Sequence, residues 1–413
     1  MTKKQDVRTD TGVDEIDVGT AAKSKKAGST SKVHIEEAPS IFGMDMTSAF
    51  IPEEASDDAE VDDVFEVQPA VKYAFIGVGQ GGSRIVESFY NIGYRRCCVV
   101  NTAKQDLDKI NLDDDRKLWL GVGGAAKNRA WGRQHIEKNS EQVMNLMRRS
   151  YGTKFDRVMV CATAGGGTGS GGFGPCIDIA NELVESLRIK KVGDETKVGL
   201  IIALPSNSER DRMDNAFESL REIERLINSK RISPVLIADN ELIREVHPSA
   251  TLGNVRQKVN HSVTSLFHIF NQISKVPSHL TSFDPADYDT ILNSGIVTFG
   301  AMQIEKTDPE DISAAFRDNF TKSVLSDGMD LSTATVVACL LVGSSEVLEN
   351  IPWKTVEHAY EMLGRVLKTD MIHRGEYVNP QALFAYTAIG GLDMPTERIN
   401  EIARIIGRTD FDE

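Results

Sequence analysis

The stretch Thr163-Ala164-Gly165-Gly166-Gly167-Thr168-Gly169-Ser170-Gly171 constrains this chain more than any other. It follows an apolar run, Val158-Met159-Val160-Cys161-Ala162, that reads as a buried strand. It precedes Cys176-Ile177-Asp178-Ile179-Ala180-Asn181-Glu182-Leu183, which has the spacing of a helix. Strand, glycine-rich turn and helix together cradle an anion such as phosphate. Glycines have no Cβ to block close approach, and their N–H groups can point inward. The positive end of the following helix adds attraction, and the Thr and Ser hydroxyls add hydrogen bonds. A flexible linker is the alternative, and the flanking strand and helix signals argue against it. A Walker-type loop would close on Gly-Lys-Ser/Thr, and no lysine follows here.

A second glycine turn lies upstream. Val71-Lys72-Tyr73-Ala74-Phe75-Ile76 reads as a buried strand. It runs into Gly77-Val78-Gly79-Gln80-Gly81-Gly82 and then a helix through Ile85, Val86 and Phe89. This is the GxGxxG form of a dinucleotide site, so an NAD(P)-linked oxidoreductase is one candidate. That fingerprint also wants an acidic residue about 20 positions further on, to hold a ribose hydroxyl. The next strand, Cys97–Val100, ends instead on Asn101-Thr102. The oxidoreductase reading also gives no account of the Gly165–Gly171 loop.

The gross properties fit a folded nucleotide-binding protein. A length of 413 residues implies two domains plus tails. The net charge of −14 argues against direct binding to nucleic acid or an anionic membrane. The five cysteines (97, 98, 161, 176 and 339) form no CxxC pair and read as reduced core residues. No apolar run approaches the ~20 residues needed to cross a bilayer, and a cytoplasmic protein is expected. Residues 1–69 carry 16 acidic against 7 basic residues, so −9 of the total charge sits there. That composition predicts a largely disordered acidic arm, in which Ser40–Met44 is an incidental apolar patch or a short docking segment.

The loop at 165–171 resembles the Gly-Gly-Gly-Thr-Gly-Ser/Thr-Gly signature with which the tubulin/FtsZ family binds GTP phosphates. Other loops of that family follow in its order. Asn101-Thr102-Ala103-Lys104-Gln105 is similar to the Asn-Thr-Asp-x-Gln loop, with Ala103 in place of the Asp. Leu120-Gly121-Val122-Gly123-Gly124-Ala125 resembles the loop that senses the γ-phosphate. The strand Val198–Leu204 leads to Pro205-Ser206-Asn207-Ser208-Glu209; the resemblance gives Glu209 to the ribose and Arg212, one position closer than usual, to the nucleotide. Asn240, after the strand Pro234–Asp239, corresponds to an Asn that hydrogen-bonds guanine. An amide offers both the donor and the acceptor that this edge requires. Asn260, on a long helix over roughly 252–274, is the second base-reading match, and Arg256 replaces the usual stacking aromatic.

Ser282-Phe283-Asp284-Pro285-Ala286-Asp287 resembles the family's synergy loop, Asn-x-Asp-x-x-Asp, with Ser282 replacing the leading Asn. The resemblance implies that Asp284 and Asp287 enter the GTP pocket of the next subunit and polarise the attacking water. By composition alone, Asp284 before Pro285 is also an ordinary helix cap.

The resemblance covers about residues 70–395. It implies an α/β fold: a Rossmann-like GTP-binding domain (70–250), a long central helix and linker (251–281) and a smaller C-terminal α/β activation domain (282–395). A helical tail with an acidic end (396–413) follows. The implied ligands are GTP or GDP with Mg2+, held by Gly79, Gln80, Gly81, Gly82, Asn101, Gly121, Gly123, Gly124, Ala125, Gly165, Gly166, Gly167, Thr168, Gly169, Ser170, Glu209, Arg212, Asn240 and Asn260. No metal-binding cluster of protein side chains is expected. The implied activity is a GTPase activated by head-to-tail self-assembly, with an adaptor docking on the arm or the tail as a further partner. The tail looks more like those of plasmid- and phage-encoded tubulins than of division-ring proteins, which end in a membrane-tether peptide. A nucleotide-binding scaffold without turnover is the alternative of a different class.

Overall fold

In the computed structural model, residues 69–121, 123–190, 196–242, 255–278, 281–321, 328–379 and 382–408 are described. The expected acidic arm, but for its last residue, and the acidic end of the tail lie outside them. Five apolar runs and the short edge segment β3 form parallel strands: β1 (Tyr73–Val78), β2 (Cys97–Asn101), β3 (Lys117–Trp119), β4 (Arg157–Thr163), β5 (Val198–Leu204) and β6 (Val235–Asp239). Their spatial order is β3-β2-β1-β4-β5-β6. Strands buried on both faces read as continuous apolar runs, and β1, β5 and β6 are buried throughout. The order reverses between β1 and β4, so the chain leaves their carboxyl ends in opposite directions and opens a crevice there.

Helices α1 (Gly79–Asn91), α2 (Lys104–Leu107), α3 (Arg129–Lys138), α4 (Ser140–Tyr151), α5 (Gly167–Ser186) and α6 (Met213–Asn228) follow these strands. The sequence placed the helical signal after the glycine loop at 176–183. The helix in fact starts at Gly167, because glycines and Pro175 hide its periodicity. Helix α7 (Val255–Ile273) then crosses to the second half; the expected start near 252 lies outside the described residues. Its Phe267 ring lies 4.7 Å from Tyr73 of β1 and 6.0 Å from Phe299. Phe270 also meets Phe299, at 5.0 Å. One aromatic cluster thus joins both halves.

The second half adds α8 (Pro285–Leu292), β7 (Ile296–Gln303), α9 (Pro309–Thr321), β8 (Val336–Gly343), α10 (Ser345–Asn350), α11 (Trp353–Leu367), β9 (Ile372–Val378), β10 (Phe384–Leu392) and α12 (Thr396–Ile406). Strands β7-β10-β8-β9 continue the sheet, with β10 antiparallel to β7 and β8. The seam is thin: β6 and β7 share one register pair, Val235 with Ile296. The helix expected over 312–324 runs from Pro309 to Thr321, and residues 322–327 are outside the described part. Edge strand β9 carries His373, Arg374 and Glu376, and its polar pattern gave no strand signal in sequence. All five cysteines are buried and free. Burial pushes the Cys98 thiol up to about 12 and raises the other four as well. Among the described residues no helix is long and apolar enough to cross a membrane.

Candidate functional site

A cavity of about 330 Å³ occupies the crevice at the sheet's switch point. Its floor is made by the starts of α1 and α5. Neither helix has a side-chain cap, and neither carries an acidic residue in its first turn. Their leading N–H groups are therefore left to a ligand, at the positive ends of two dipoles. Gly79 takes φ +71 to turn from β1 into α1, and a Cβ there would stand 2.8 Å from the Gly169 nitrogen. The two glycine turns thus meet backbone to backbone, which side chains would prevent.

Of the residues expected at a nucleotide, Gly79, Gln80, Gly81, Asn101, Gly124, Ala125, Gly165, Gly166, Gly167, Thr168, Gly169, Glu209, Arg212, Asn240 and Asn260 line this cavity. Gly82, Ser170, Gly121 and Gly123 are not among its lining residues. Gly82 lies beneath it, where a Cβ would fall 2.1 Å from the Cys161 carbonyl oxygen. Ser170 turns its hydroxyl back to the Gly166 carbonyl inside α5. Gly121 and Gly123 are exposed, with nothing within 4 Å of a Cβ at either.

Hydrogen bonds tie the loops together. The Thr102 and Thr168 hydroxyls are 2.6 Å apart, linking the β2 loop to α5. Gln80 Nε2 donates to Asp106 Oδ1 at 2.9 Å. Asn101 is 3% exposed, and its Oδ1 accepts from the Ala103 nitrogen at 3.3 Å. Its Nδ2 has no partner among the described residues. A buried amide donor left unpaired is costly, so this atom suits a ligand acceptor in the cavity. On the opposite wall Glu209 pairs with Arg212 at 3.1 Å and accepts from the Ser206 nitrogen at 3.2 Å. Arg212 leans on Gly165, whose Cβ would lie 2.7 Å from that of Arg212.

The loop carrying Asn240 is fixed from the far end of the chain. Arg398 of α12 is 8% exposed and donates to the Pro205 carbonyl at 2.9 Å and Asn207 Oδ1 at 2.6 Å. It also pairs with Asp239 at 2.6 Å. Burial pushes the Asp239 carboxyl up to about 6, against the opposing pull of Arg398. The apolar spacing of Ile399 and Ile402 revealed this helix in sequence, but nothing marked Arg398 as its anchor.

Sequence reasoning also missed Arg84, Thr102, Asp106 and Lys127, all of which line the cavity. Lys127 has φ +62 and pairs with Asp211, whose carboxyl it holds below the usual range through that hydrogen bond. Isolated charges carry no periodic signal, so only the loop's geometry brings them in. The Arg256 side chain lies outside what is described.

Asp284 and Asp287 are not among the residues lining this cavity. Asp284 caps α8: its Oδ1 accepts from the nitrogens of Ala286 at 2.7 Å and Asp287 at 2.9 Å. Asp287 Oδ2 accepts in return from the Asp284 nitrogen at 3.1 Å, closing a capping box. Asp284 is exposed and Asp287 half-buried. Among the described residues, no group of three or more His, Cys, Asp or Glu could hold a metal ion.

Residues 72–246 match the model of the tubulin/FtsZ family GTPase domain. The chain is 23% identical to the tubulin-like protein TubZ of Bacillus thuringiensis subsp. israelensis, over 80% of this chain and 76% of that one. It is 26% identical to cell division protein FtsZ 2 of Haloferax volcanii, over 63% of this chain and 58% of that one. The crystal structure of a GTPγS-form protofilament of the Bacillus TubZ superposes with a TM-score of 0.69 at 20% identity, covering 82% of this chain and 92% of that one. The fold is that of these proteins.

Proposed function

We propose, on the match of residues 72–246 to the tubulin/FtsZ family GTPase-domain model, that this chain binds GTP in the switch-point cavity and hydrolyses it within a head-to-tail homopolymer. The observation that carries the reading is the meeting of two uncapped helix starts, α1 and α5, at Gly79 and Gly169. That floor fits a chain of phosphates, whose charge the N–H groups and dipoles take up. The unpaired Asn101 Nδ2 donates to the nucleotide. Glu209 takes the ribose and Arg212 steadies it. Asn240 and Asn260 read the guanine edge as matched donors and acceptors.

Mg2+ bound with the triphosphate neutralises charge on the reacting phosphate. The hydroxyls of Thr102 and Thr168 and the Asp106 carboxylate are the oxygen donors this chain offers it. Mg2+ keeps most of its other sites for phosphate and water, so no side-chain cluster is required.

Asp284 and Asp287 act on the neighbour's nucleotide, where a carboxylate orients the attacking water. Hydrolysis then depends on assembly, and release of phosphate weakens the junction. The likeness to the Bacillus TubZ spans 80% of this chain against 63% for FtsZ 2, and a solved neighbour is a type III plasmid segregation TubZ, which favours a plasmid-segregating filament over a division ring. The test is GTP turnover per subunit against protein concentration, alongside light scattering in GTP and in GDP. A rate that rises steeply once polymer forms is the expected result. A rate per subunit that is flat through that threshold would refute a shared site, and no turnover at any concentration would leave a nucleotide-binding scaffold.

A further inference from the structure

The acidic loop is braced by edge strand β9. The Phe283 nitrogen donates to the Tyr377 hydroxyl at 2.8 Å, and that hydroxyl donates to the Phe283 carbonyl at 3.2 Å. The Thr281 nitrogen donates to Glu376 Oε2 at 3.2 Å. His373 Nδ1 stands 2.7 Å from Asp287 Oδ1, and its ring lies 6.3 Å from that of Phe283. His373 Nε2 is buried without a partner among the described residues.

These bonds divide the two carboxylates. Both Asp287 oxygens are used within the chain: Oδ1 by His373 and Oδ2 by the Asp284 nitrogen. Asp284 uses Oδ1 for two backbone nitrogens, while its Oδ2 accepts from none of the described residues. Asp284 is also the more exposed of the pair.

We propose that His373 is the positioning residue of this loop: it locks Asp287, the capping box then fixes Asp284, and Asp284 Oδ2 is the oxygen offered to the water in the next subunit. The inference rests on the reading that the loop completes a neighbour's site. It assigns the water to Asp284 and makes Asp287 its support. Preorganisation of this kind matters because a small misplacement of a catalytic group costs rate steeply.

The experiment measures GTP affinity of monomers, assembly threshold and turnover per polymerised subunit in full-length His373→Ala, His373→Asn, Asp284→Asn, Asp287→Asn and the His373→Ala/Asp287→Asn double variant. Turnover in His373→Ala should fall on the order of tenfold with GTP affinity unchanged. His373→Asn, whose amide nitrogen can stand in for Nδ1, should recover most of the rate. The double variant should be no slower than Asp287→Asn alone, and Asp284→Asn should be slowest of all. Wild-type turnover in His373→Ala, or losses that multiply in the double variant, would overturn the positioning role while leaving the shared site standing. Loss of GTP binding in both His373 variants would show a merely structural residue and also overturn it. Wild-type turnover in both Asp284→Asn and Asp287→Asn would overturn the shared site itself and the inference with it.

Discussion

Arg398 Nε stands 2.6 Å from Asp239 Oδ2, although the two residues are 159 positions apart in the chain. Asp239 is the last residue of β6 and immediately precedes Asn240, so the C-terminal helix holds the cavity-facing end of that strand. Replacing Arg398 with Ala would leave a buried carboxylate unpaired, and breaking such a pair costs about 3–5 kcal/mol. The thermal midpoint should drop and GTP affinity should weaken, because Pro205 and Asn207 lose the same anchor. Arg398→Lys should recover little, since an ammonium cannot replace the planar fork. A melt unchanged in Arg398→Ala would remove the anchor from the account.

The same pair gives a pH dependence. Burial raises the Asp239 carboxyl from 3.8 to about 6 in the folded protein. A raised acid contributes stability that is complete below the unfolded value and is lost as pH climbs through the folded one. Between pH 4 and 6 the wild type should therefore lose on the order of 2–3 kcal/mol relative to Asp239→Asn. Chemical denaturation of both proteins across that range measures it. Parallel pH profiles would contradict the shift.

The phosphate floor offers a paired test. A Cβ on Gly167 would meet the Ala125 Cβ at 2.8 Å and the Asn128 nitrogen at 2.9 Å, so Gly167→Val should displace the neighbouring loop and destabilise the fold. A Cβ on Gly166 meets only Thr163 Oγ1, at 3.6 Å. Gly166→Val should fold normally yet lose GTP binding by tenfold or more, roughly 1.4 kcal/mol, because the added methyls occupy phosphate space. Equal GTP affinity in a folded Gly166→Val protein, read by fluorescent nucleotide titration, would place the phosphates elsewhere.

On the proposed reading, Asn240 and Asn260, which both line the cavity, choose the base. Ala at either position should cost GTP roughly 1–3 kcal/mol of binding and narrow the gap to ATP. Competition titration with both nucleotides reads this directly. Equal displacement by ATP and GTP in the wild type would dissociate these amides from guanine.

Mixing defective subunits tests composition of the site. Gly166→Val supplies an intact acidic loop and Asp284→Asn an intact pocket. Each alone should turn over slowly, and their mixture should recover part of the wild-type rate at junctions that pair the two intact elements. A mixture no faster than the sum of its parts would mean that pocket and loop serve the same subunit.

Much of this was legible in the sequence because backbone-driven features leave local marks. Glycine turns and the Asp284-Pro285 cap are each readable from a few neighbouring letters, whereas Asn240 and Asn260 stood out only through the resemblance to the family's loop order. Gly82 and Ser170 belong to the glycine motifs but are not among the cavity's lining residues, because a motif does not reveal which side of a helix start a residue faces. Lys127, Asp106 and Arg398 were invisible for the opposite reason: each is an ordinary charge until the fold brings its partner from elsewhere. The helix at Gly167 was placed late because glycine has no hydrophobic period to read.

The seam between β6 and β7 has a mechanical consequence. Strands within either half are laced by several register pairs, but Val235 and Ile296 alone join the halves through the sheet. The halves are therefore coupled more by side chains than by the ladder: the aromatic cluster of α7, Arg157 and Lys197 with Asp289 of α8, and Arg398 with Asp239. One half carries the cavity and the other the acidic loop. The angle between the two halves is set by these side-chain contacts. In a head-to-tail polymer the same small angle recurs at every subunit and accumulates along the length, so the rest angle of one joint becomes the pitch and curvature of a whole filament.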